Sequence, residues 1–332
     1  MEKLSKSILT RKTAPEWLKY ASSEPDPEKL FDVFWFEGEL SYLFADTGAG
    51  KSILAVQIAQ SIATGEFIYE NIEMTAKRQP VLLFDFELSS KQFEIRYKNR
   101  ETGEHYELSE DIIRYELDIT AYNPDENYQE SIINSIEQEI INTNSKVIII
   151  DNITYLNNTS EIKDAIKFMQ RMNQLKKKYK LSILALAHTP KRNMLEPITE
   201  NTMSGSKNLM NFADSSFSIG KSDQDEKRYI KQIKIKQTSY EYGSDNVLIC
   251  EIDNPDNFTS FQITGTDPEQ RHLKKINPKE QRNNDIIDAY NSGKYTQEQL
   301  AIKFDITRQT VNKIIKNQRD EDFSQIDYSE PF

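Results

Sequence analysis

From Leu40 onward, short apolar runs alternate with longer segments in which apolar residues recur at helical spacing. Ser41 to Phe44 precedes Lys51 to Thr64, Val81 to Phe86 precedes Ser89 to Arg100, and Ile112 to Leu117 precedes Tyr128 to Asn142. Val147 to Ile150 then precedes Glu161 to Lys180, and Leu181 to Ala187 closes the series. Strand and helix taking turns in this way predict a parallel sheet with crossover helices. The unbroken Val-Ile-Ile-Ile run predicts a strand covered on both faces. After Asp214 the rhythm changes. Ser215 to Ile219, Tyr229 to Lys236, Val247 to Ile252 and Phe258 to Ile263 read as strands separated by turn residues, and are expected as antiparallel additions to the sheet edge. The expected fold is therefore α/β: a mostly parallel twisted sheet flanked by helices, with antiparallel strands at one edge.

Residues 1–30, punctuated by Pro15, Pro25 and Pro27, read as an irregular or partly helical lead-in to a domain over 31–265. Residues 266–283 are polar, contain Pro268 and Pro278, and read as a linker. A small all-α module over 284–319 and an acidic tail over 320–332 follow. In the module, helices are expected at Asp285 to Ser292, Thr296 to Phe304 and Thr307 to Asn317. The last two have the helix-turn-helix pattern: Thr296 and Thr307 serve as N-caps, and Asp305 stands at the turn position that needs left-handed backbone. Leu300, Ala301, Ile306, Val311 and Ile314 would form its core. Arg308, Gln309, Asn312, Lys313 and Lys316 would then face outward, the first three suited to base edges and the lysines to phosphates. A protein-docking role is the alternative for this module.

The candidate chemistry lies at the strand ends. Leu40 to Phe44, then Ala45-Asp46-Thr47-Gly48-Ala49-Gly50-Lys51-Ser52, then a helix, form a Walker A loop in its strand-loop-helix context. Gly48 and Gly50 let backbone N–H groups turn inward around phosphate, and the helix N-terminus adds positive potential. Residues Asp46 to Ile53 are thus the expected cradle for ATP, with Lys51 on the terminal phosphates and Ser52 on Mg²⁺. The usual first glycine is replaced by Ala45. Asp151, at the end of Val147 to Ile150, suits the Walker B role of holding the metal's water shell. Many ATPases carry a glutamate next, but here Asn152 follows, so the group that activates water must come from elsewhere.

Taken with these motifs, Glu87, His188, Met203-Ser204-Gly205-Ser206-Lys207 and Phe212-Ala213-Asp214-Ser215-Ser216 give roughly residues 30 to 265 a resemblance to the RepA-type branch of the RecA-like ATPases, which includes hexameric plasmid replicative helicases. The resemblance implies Glu87 as the catalytic base, with Asp85 as competitor on the same side of its strand, and His188 as a sensor of the γ-phosphate. It implies a homo-oligomeric ring with nucleotide at subunit interfaces. A basic residue from the neighbour would complete each site, and Lys234 and Lys236 are the candidates, with Arg228 behind them. Alternating Lys and Ile also fits a half-exposed edge strand. It further implies that Thr189 to Met203 faces a central channel, where Lys191 and Arg192 would touch DNA; a plain surface loop is the alternative. Replicative helicase, ATP-switched regulator or loader, and ATPase of an antiviral or signalling system all remain compatible with such a core.

Composition narrows the setting. The 332 residues are 37% hydrophobic and 29% charged, with a net charge of −11 that argues against a uniformly basic surface. Charge is segregated, however: residues 278–319 hold eight Lys or Arg against five acids, while 320–332 hold five acids and no base. The longest apolar runs fall far short of the roughly 20 residues a bilayer requires, so a cytoplasmic protein without membrane contact is expected. The single cysteine, Cys250, reads as a small buried residue.

Overall fold

The computed structural model describes residues 9–68, 72–99, 101–123, 125–153, 162–190, 192–203, 206–224, 226–275 and 278–324. It divides into two compact units, residues 1–273 and 274–332.

The larger unit is built on a nine-stranded sheet. Six strands run parallel: β3 (Leu40–Ala45), β4 (Val81–Asp85), β5 (Ile112–Tyr115), β6 (Val147–Asp151), β7 (Ser182–His188) and β8 (Ser215–Lys221), in the spatial order β8-β3-β7-β6-β4-β5. Beyond β8, the strands β9 (Lys227–Lys234), β10 (Val247–Asp253) and β11 (Ser260–Asp267) pair antiparallel. The expected mostly parallel sheet with an antiparallel edge is therefore present, with one correction. Ser215 to Ile219 was expected among the antiparallel strands, but β8 pairs parallel with β3, because the crossover 189–214, which carries the short helix α6 (Ser206–Met210), returns the chain to the same end of the sheet.

Alternation along each strand supplies two cores. On one face Tyr42, Phe44, Ile148 and Ile150 pack with α4 (Tyr128–Thr143) and α5 (Ile162–Tyr179). On the other, Leu43, Val147 and Ile149 pack with α2 (Lys51–Thr64), whose Leu54, Ala55, Ile58 and Ile62 are buried. The Val147 to Ile150 run has no exposed residue, as a doubly covered strand requires. Cys250 is buried and free. Among the described residues, no helix is long and apolar enough to cross a membrane.

The lead-in is more ordered than its prolines suggest. Thr13 and Glu16 form a reciprocal capping box for α1 (Ala14–Ala21), with Pro15 in the first turn where a missing N–H costs nothing. The short strands β1 (Lys29–Phe31) and β2 (Trp35–Phe36) pair antiparallel. Helix α3 spans Ser90–Arg96, ending short of Arg100 because Tyr97 leaves helical geometry and Lys98 bridges to His105.

The expected linker is also largely structured. β11 runs to Asp267, and a 3₁₀ turn over Glu269–Arg271 carries Glu269 and His272 into the interior. Glu269 accepts a hydrogen bond from Lys231 Nζ and one from the Tyr229 hydroxyl at 3.2 Å, while Ser222 and His272 Nδ1 lie 2.8 Å apart. Buried charges that are paired in this way are what a polar segment needs in order to pack.

The smaller unit consists of α7 (Pro278–Asn291), α8 (Gln297–Lys303) and α9 (Arg308–Ser324). Ile286, Leu300, Ala301, Val311 and Ile315 form its core, with Ile306 and Ile314 only partly buried at its margin. Ile315 takes the place expected for Ile314, since i,i+4 spacing from Val311 keeps it on the inner face. Asp305 adopts φ +51° in the turn between α8 and α9, the left-handed geometry expected of it.

Gly220 on β8 lies under the Tyr229 ring, and a Cβ there would sit 2.1 Å from Cζ. Gly220→Ala should therefore destabilise the larger unit by roughly 1–3 kcal/mol through overpacking. A denaturant titration checks this, and an unchanged midpoint would contradict the packing described.

Candidate functional site: a phosphate cradle at the strand ends

Because β3, β7, β6 and β4 are neighbours in parallel register, their C-terminal residues fall on one edge. Ala45 lies opposite His188, and Asp85 opposite Asp151. The loop 46–50 leaves β3 at that edge and runs into α2. Its turn needs glycine twice: Gly48 has φ +70°, and Gly50 has φ +105°. At Gly50 a Cβ would also approach Ile252 Cδ1 to 2.7 Å and Phe261 Cζ to 2.8 Å, so β10 and β11 press on the loop from outside. The loop is braced further by Lys221 Nζ, which donates to the Thr47 carbonyl at 3.0 Å, and by Arg228 Nε, which donates to the Ala49 carbonyl at 3.1 Å. Asp46 is held by Arg192 Nε at 3.0 Å and by the Thr189 hydroxyl.

Lys51 is 6% exposed. Its Nζ donates to the Ala45 carbonyl at 3.0 Å and lies 3.1 Å from His188 Nδ1. Burial lowers its pKa, opposed by the charges of Asp151, Glu87 and Asp46. Burial, helped by the Lys51 charge and opposed by that of Glu87, lowers the pKa of His188. Lys51 donating to Nδ1 leaves the ring proton on Nε2.

Asn152 stands between His188 and Glu87. Its Nδ2 is 2.7 Å from Glu87 Oε2 and 3.0 Å from His188 Nε2. An amide nitrogen matches the carboxylate but meets N–H against N–H at a ring protonated on Nε2; turning the amide over reverses the mismatch. The row Lys51–His188–Asn152–Glu87 therefore contains one unmatched contact for as long as Lys51 is bonded to the histidine.

Asp151 is buried, and its Oδ1 has no hydrogen-bond partner. Desolvation pushes its pKa up to about 7, reinforced by Asp85 and Glu87 and opposed by the Ser52 hydroxyl and Lys51. A buried carboxylate oxygen left unmatched beside a serine hydroxyl and a phosphate-loop lysine suits a magnesium ion or the water shell around one. Ser52 and Asp151 are the residues that would hold it. Among the described residues no cluster of three metal-ligating side chains occurs.

Asp85 and Glu87 differ sharply. Asp85 Oδ1 accepts the backbone N–H groups of Glu87 and Leu88 at 3.2 and 3.0 Å, and Oδ2 accepts Arg114 Nε at 2.9 Å. Arg114 also donates to the Leu88 carbonyl at 2.6 Å. Asp85 is thus committed to shaping the turn that presents Glu87, whereas Glu87 reaches toward Asn152 and lies 3.8 Å from His188 Nε2.

The remaining candidates fall elsewhere. Lys191 lies outside the described residues. Arg192, expected at a DNA-facing surface, is turned inward to Asp46 with its side chain 9% exposed, because the carboxylate of the phosphate loop offers it a partner. Lys234 sits opposite Ser216, at the end of the sheet away from the cradle; it donates to the Met210 carbonyl at 2.6 Å, and Lys236 Nζ is 3.0 Å from Asp214 Oδ1. Arg228, by contrast, lies beside its own chain's phosphate loop. Sequence reasoning missed Lys221, Arg114 and the role of Asn152. An arginine inside the Ile112–Tyr115 run, and an amide where a second acid is common, were the signals available. In the smaller unit Gln309, Asn312, Lys313 and Lys316 are exposed, and Arg308 is ion-paired with Glu298 at 2.8 Å.

Residues 9–194, more than half of the chain and the stretch containing Lys51, Glu87, Asp151 and His188, match the family model AAA_25, described as an AAA domain. The chain belongs to the AAA_25 family. Strands β8 to β11 and the smaller unit lie outside the matched region. The AAA_25 chain is similar in structure to a KaiC-like protein, PH0186, from the hyperthermophilic archaeon Pyrococcus horikoshii OT3. The identity is 14% and the TM-score 0.49, over 69% of this chain and 91% of that one. No curated protein matches the sequence.

The raised pKa of Asp151 fixes a pH dependence. An unfolded aspartate ionises near pH 4, so without nucleotide the folded state takes up a proton between about pH 4 and 7. The cost of burying the charge is absent below that window, grows through it, and is complete above pH 7. Asp151→Asn should therefore raise the melting temperature of nucleotide-free protein at pH 8, with the gain vanishing toward pH 4. A gain that is independent of pH would contradict the assignment.

Proposed function

We propose that this AAA_25 chain is an oligomeric, DNA-dependent ATP hydrolase of the RepA-type helicase kind. It would act as a hexameric ring with ATP and Mg²⁺ at the subunit interfaces, in the replication of a plasmid or other mobile element. The observation that carries the reading is the convergence of Lys51, Asp151, Glu87 and His188 on four neighbouring strand ends.

Each residue has a task that its surroundings support. The N–H groups of 46–52 and the amino end of α2 line the cradle, and Lys51 moves from His188 to the terminal phosphates. Mg²⁺, which Ser52 and Asp151 would hold, would offset the negative charge of the transferring phosphoryl group. Glu87 orients the attacking water and accepts its proton, an assignment favoured by the commitment of Asp85 to Arg114 and the turn. Once Lys51 has left, His188 can carry its proton on Nδ1 and accept from Asn152 at Nε2. Asn152 can then donate to both His188 and Glu87, and the row is fully matched. His188 then faces the terminal phosphate as a donor, which is the sensor role.

In the ring, Lys234 and Lys236 of one subunit would reach the neighbour's phosphates. Any such role would be in trans, after release from Met210 and Asp214, because both lie at the end of the sheet remote from their own cradle. Arg192 would act on the channel through Asp46 rather than by touching DNA itself. The helices α8 and α9 form a helix-turn-helix that recruits the ring to DNA.

Lys51→Ala should lose most nucleotide affinity. Glu87→Gln should still bind ATP with Mg²⁺ but hydrolyse it on the order of a hundredfold more slowly. Single-turnover hydrolysis separates the two effects, and slow hydrolysis in Asp85→Asn with normal turnover in Glu87→Gln would reverse the roles. Strand displacement stimulated by single-stranded DNA, absent in Lys51→Ala, is the result expected of a helicase. Slow turnover with duplex binding and no displacement would instead identify an ATP-controlled switch.

A further inference from the structure

The smaller unit contains a groove of about 770 Å³ between α7 and the amino-terminal half of α9. Lys279 and Arg282, three residues apart and so on one face of α7, look across it toward Lys313 on α9. Asn283, Gln309 and Thr310 supply polar lining between them, and no carboxylate occurs among the described lining residues. In a chain with a net charge of −11, a groove that gathers three cations and no acid is a local reversal of sign. One of its donors is also unmatched: Arg282 Nε is buried with no hydrogen-bond partner. A guanidinium nitrogen withdrawn from water and left without an acceptor lacks the oxygen it is built to bind.

We propose that this groove is a binding site for the sugar-phosphate backbone of duplex DNA, with Lys279, Arg282 and Lys313 on successive phosphates. The inference rests on the DNA-binding reading of the smaller unit and changes its division of labour. Lys313 becomes part of a phosphate grip shared with α7. Arg308, Gln309 and Asn312 remain to face the bases, Arg308 from an exposed ion pair with Glu298. Contacts that hold the backbone set register and strength without reading sequence, whereas base-edge contacts read sequence. The two sets should therefore separate by experiment.

The test uses the full chain with random-sequence and selected duplexes, following binding by fluorescence anisotropy across a potassium chloride series. The double variant Lys279→Gln with Arg282→Gln should weaken binding to all sequences equally and flatten the salt dependence by about 1.8, since each phosphate contact contributes about 0.9 to the slope. Lys279→Arg with Arg282→Lys should restore most of the slope. Asn312→Ala should leave the slope intact and narrow the gap between selected and random duplexes. Basal ATP hydrolysis and the thermal transition of the smaller unit report that each variant is folded. A wild-type slope in the folded double variant, with Asn312→Ala still losing discrimination, overturns the groove and leaves the helix-turn-helix reading standing. Failure of the wild-type chain to bind any duplex overturns both. Salt-sensitive capture of polyglutamate without duplex binding would assign the groove to an acidic protein partner, and likewise overturns the proposal.

Discussion

A lysine ammonium held out of water at the end of a parallel sheet sets the terms for everything around it. Burying Lys51 costs free energy that three nearby carboxylates, Asp46, Glu87 and Asp151, partly offset. Burial out of water, reinforced by the charges of Asp85 and Glu87, is why Asp151 titrates near neutrality. The cluster is thus balanced to accept a ligand that brings its own negative charge together with a divalent cation. Lys51 would gain phosphate oxygens, and Asp151 would gain the metal's water shell.

The fold supplies that balance through register. Because β3, β7, β6 and β4 are adjacent and parallel, the residues that end them meet whether or not they are close in sequence: Lys51 and His188 are separated by 137 positions. Side chains behind the edge then divide the work. Asp85 and Arg114 shape the turn that carries Glu87, while Lys221 and Arg228 brace the outer wall of the phosphate loop. The antiparallel strands contribute Ile252 and Phe261, whose contact with the loop makes glycine obligatory at position 50. Thr189 and Arg192 tie the loop after β7 to Asp46, so events at the cradle have a physical route into the segment 189–203.

How much of this could be read beforehand follows from the range of the interactions. Alternation of strand and helix is local, and it foretold the six-strand parallel core apart from β8, whose partner is chosen by a long crossover. The phosphate loop and Asp151 were legible because their chemistry fixes residue type and spacing. Capping signals at Thr296 and the left-handed Asp305 placed α8 and its turn. Contacts between distant segments were not legible. Nothing in the sequence indicated that Arg192 would turn to Asp46 rather than to solvent, that Glu269 and His272 would be drawn inward by Lys231, Tyr229 and Ser222, or that Asn152 would bridge Glu87 and His188.

The central claim is that Lys51 exchanges His188 for phosphate when nucleotide binds. Nitrogen-15 NMR of the imidazole rings, with and without magnesium and a non-hydrolysable ATP analogue, tests it most directly. The account predicts that His188 carries its proton on Nε2 in free protein and on Nδ1 in the complex. A ring that keeps the same tautomer while nucleotide is demonstrably bound would contradict it.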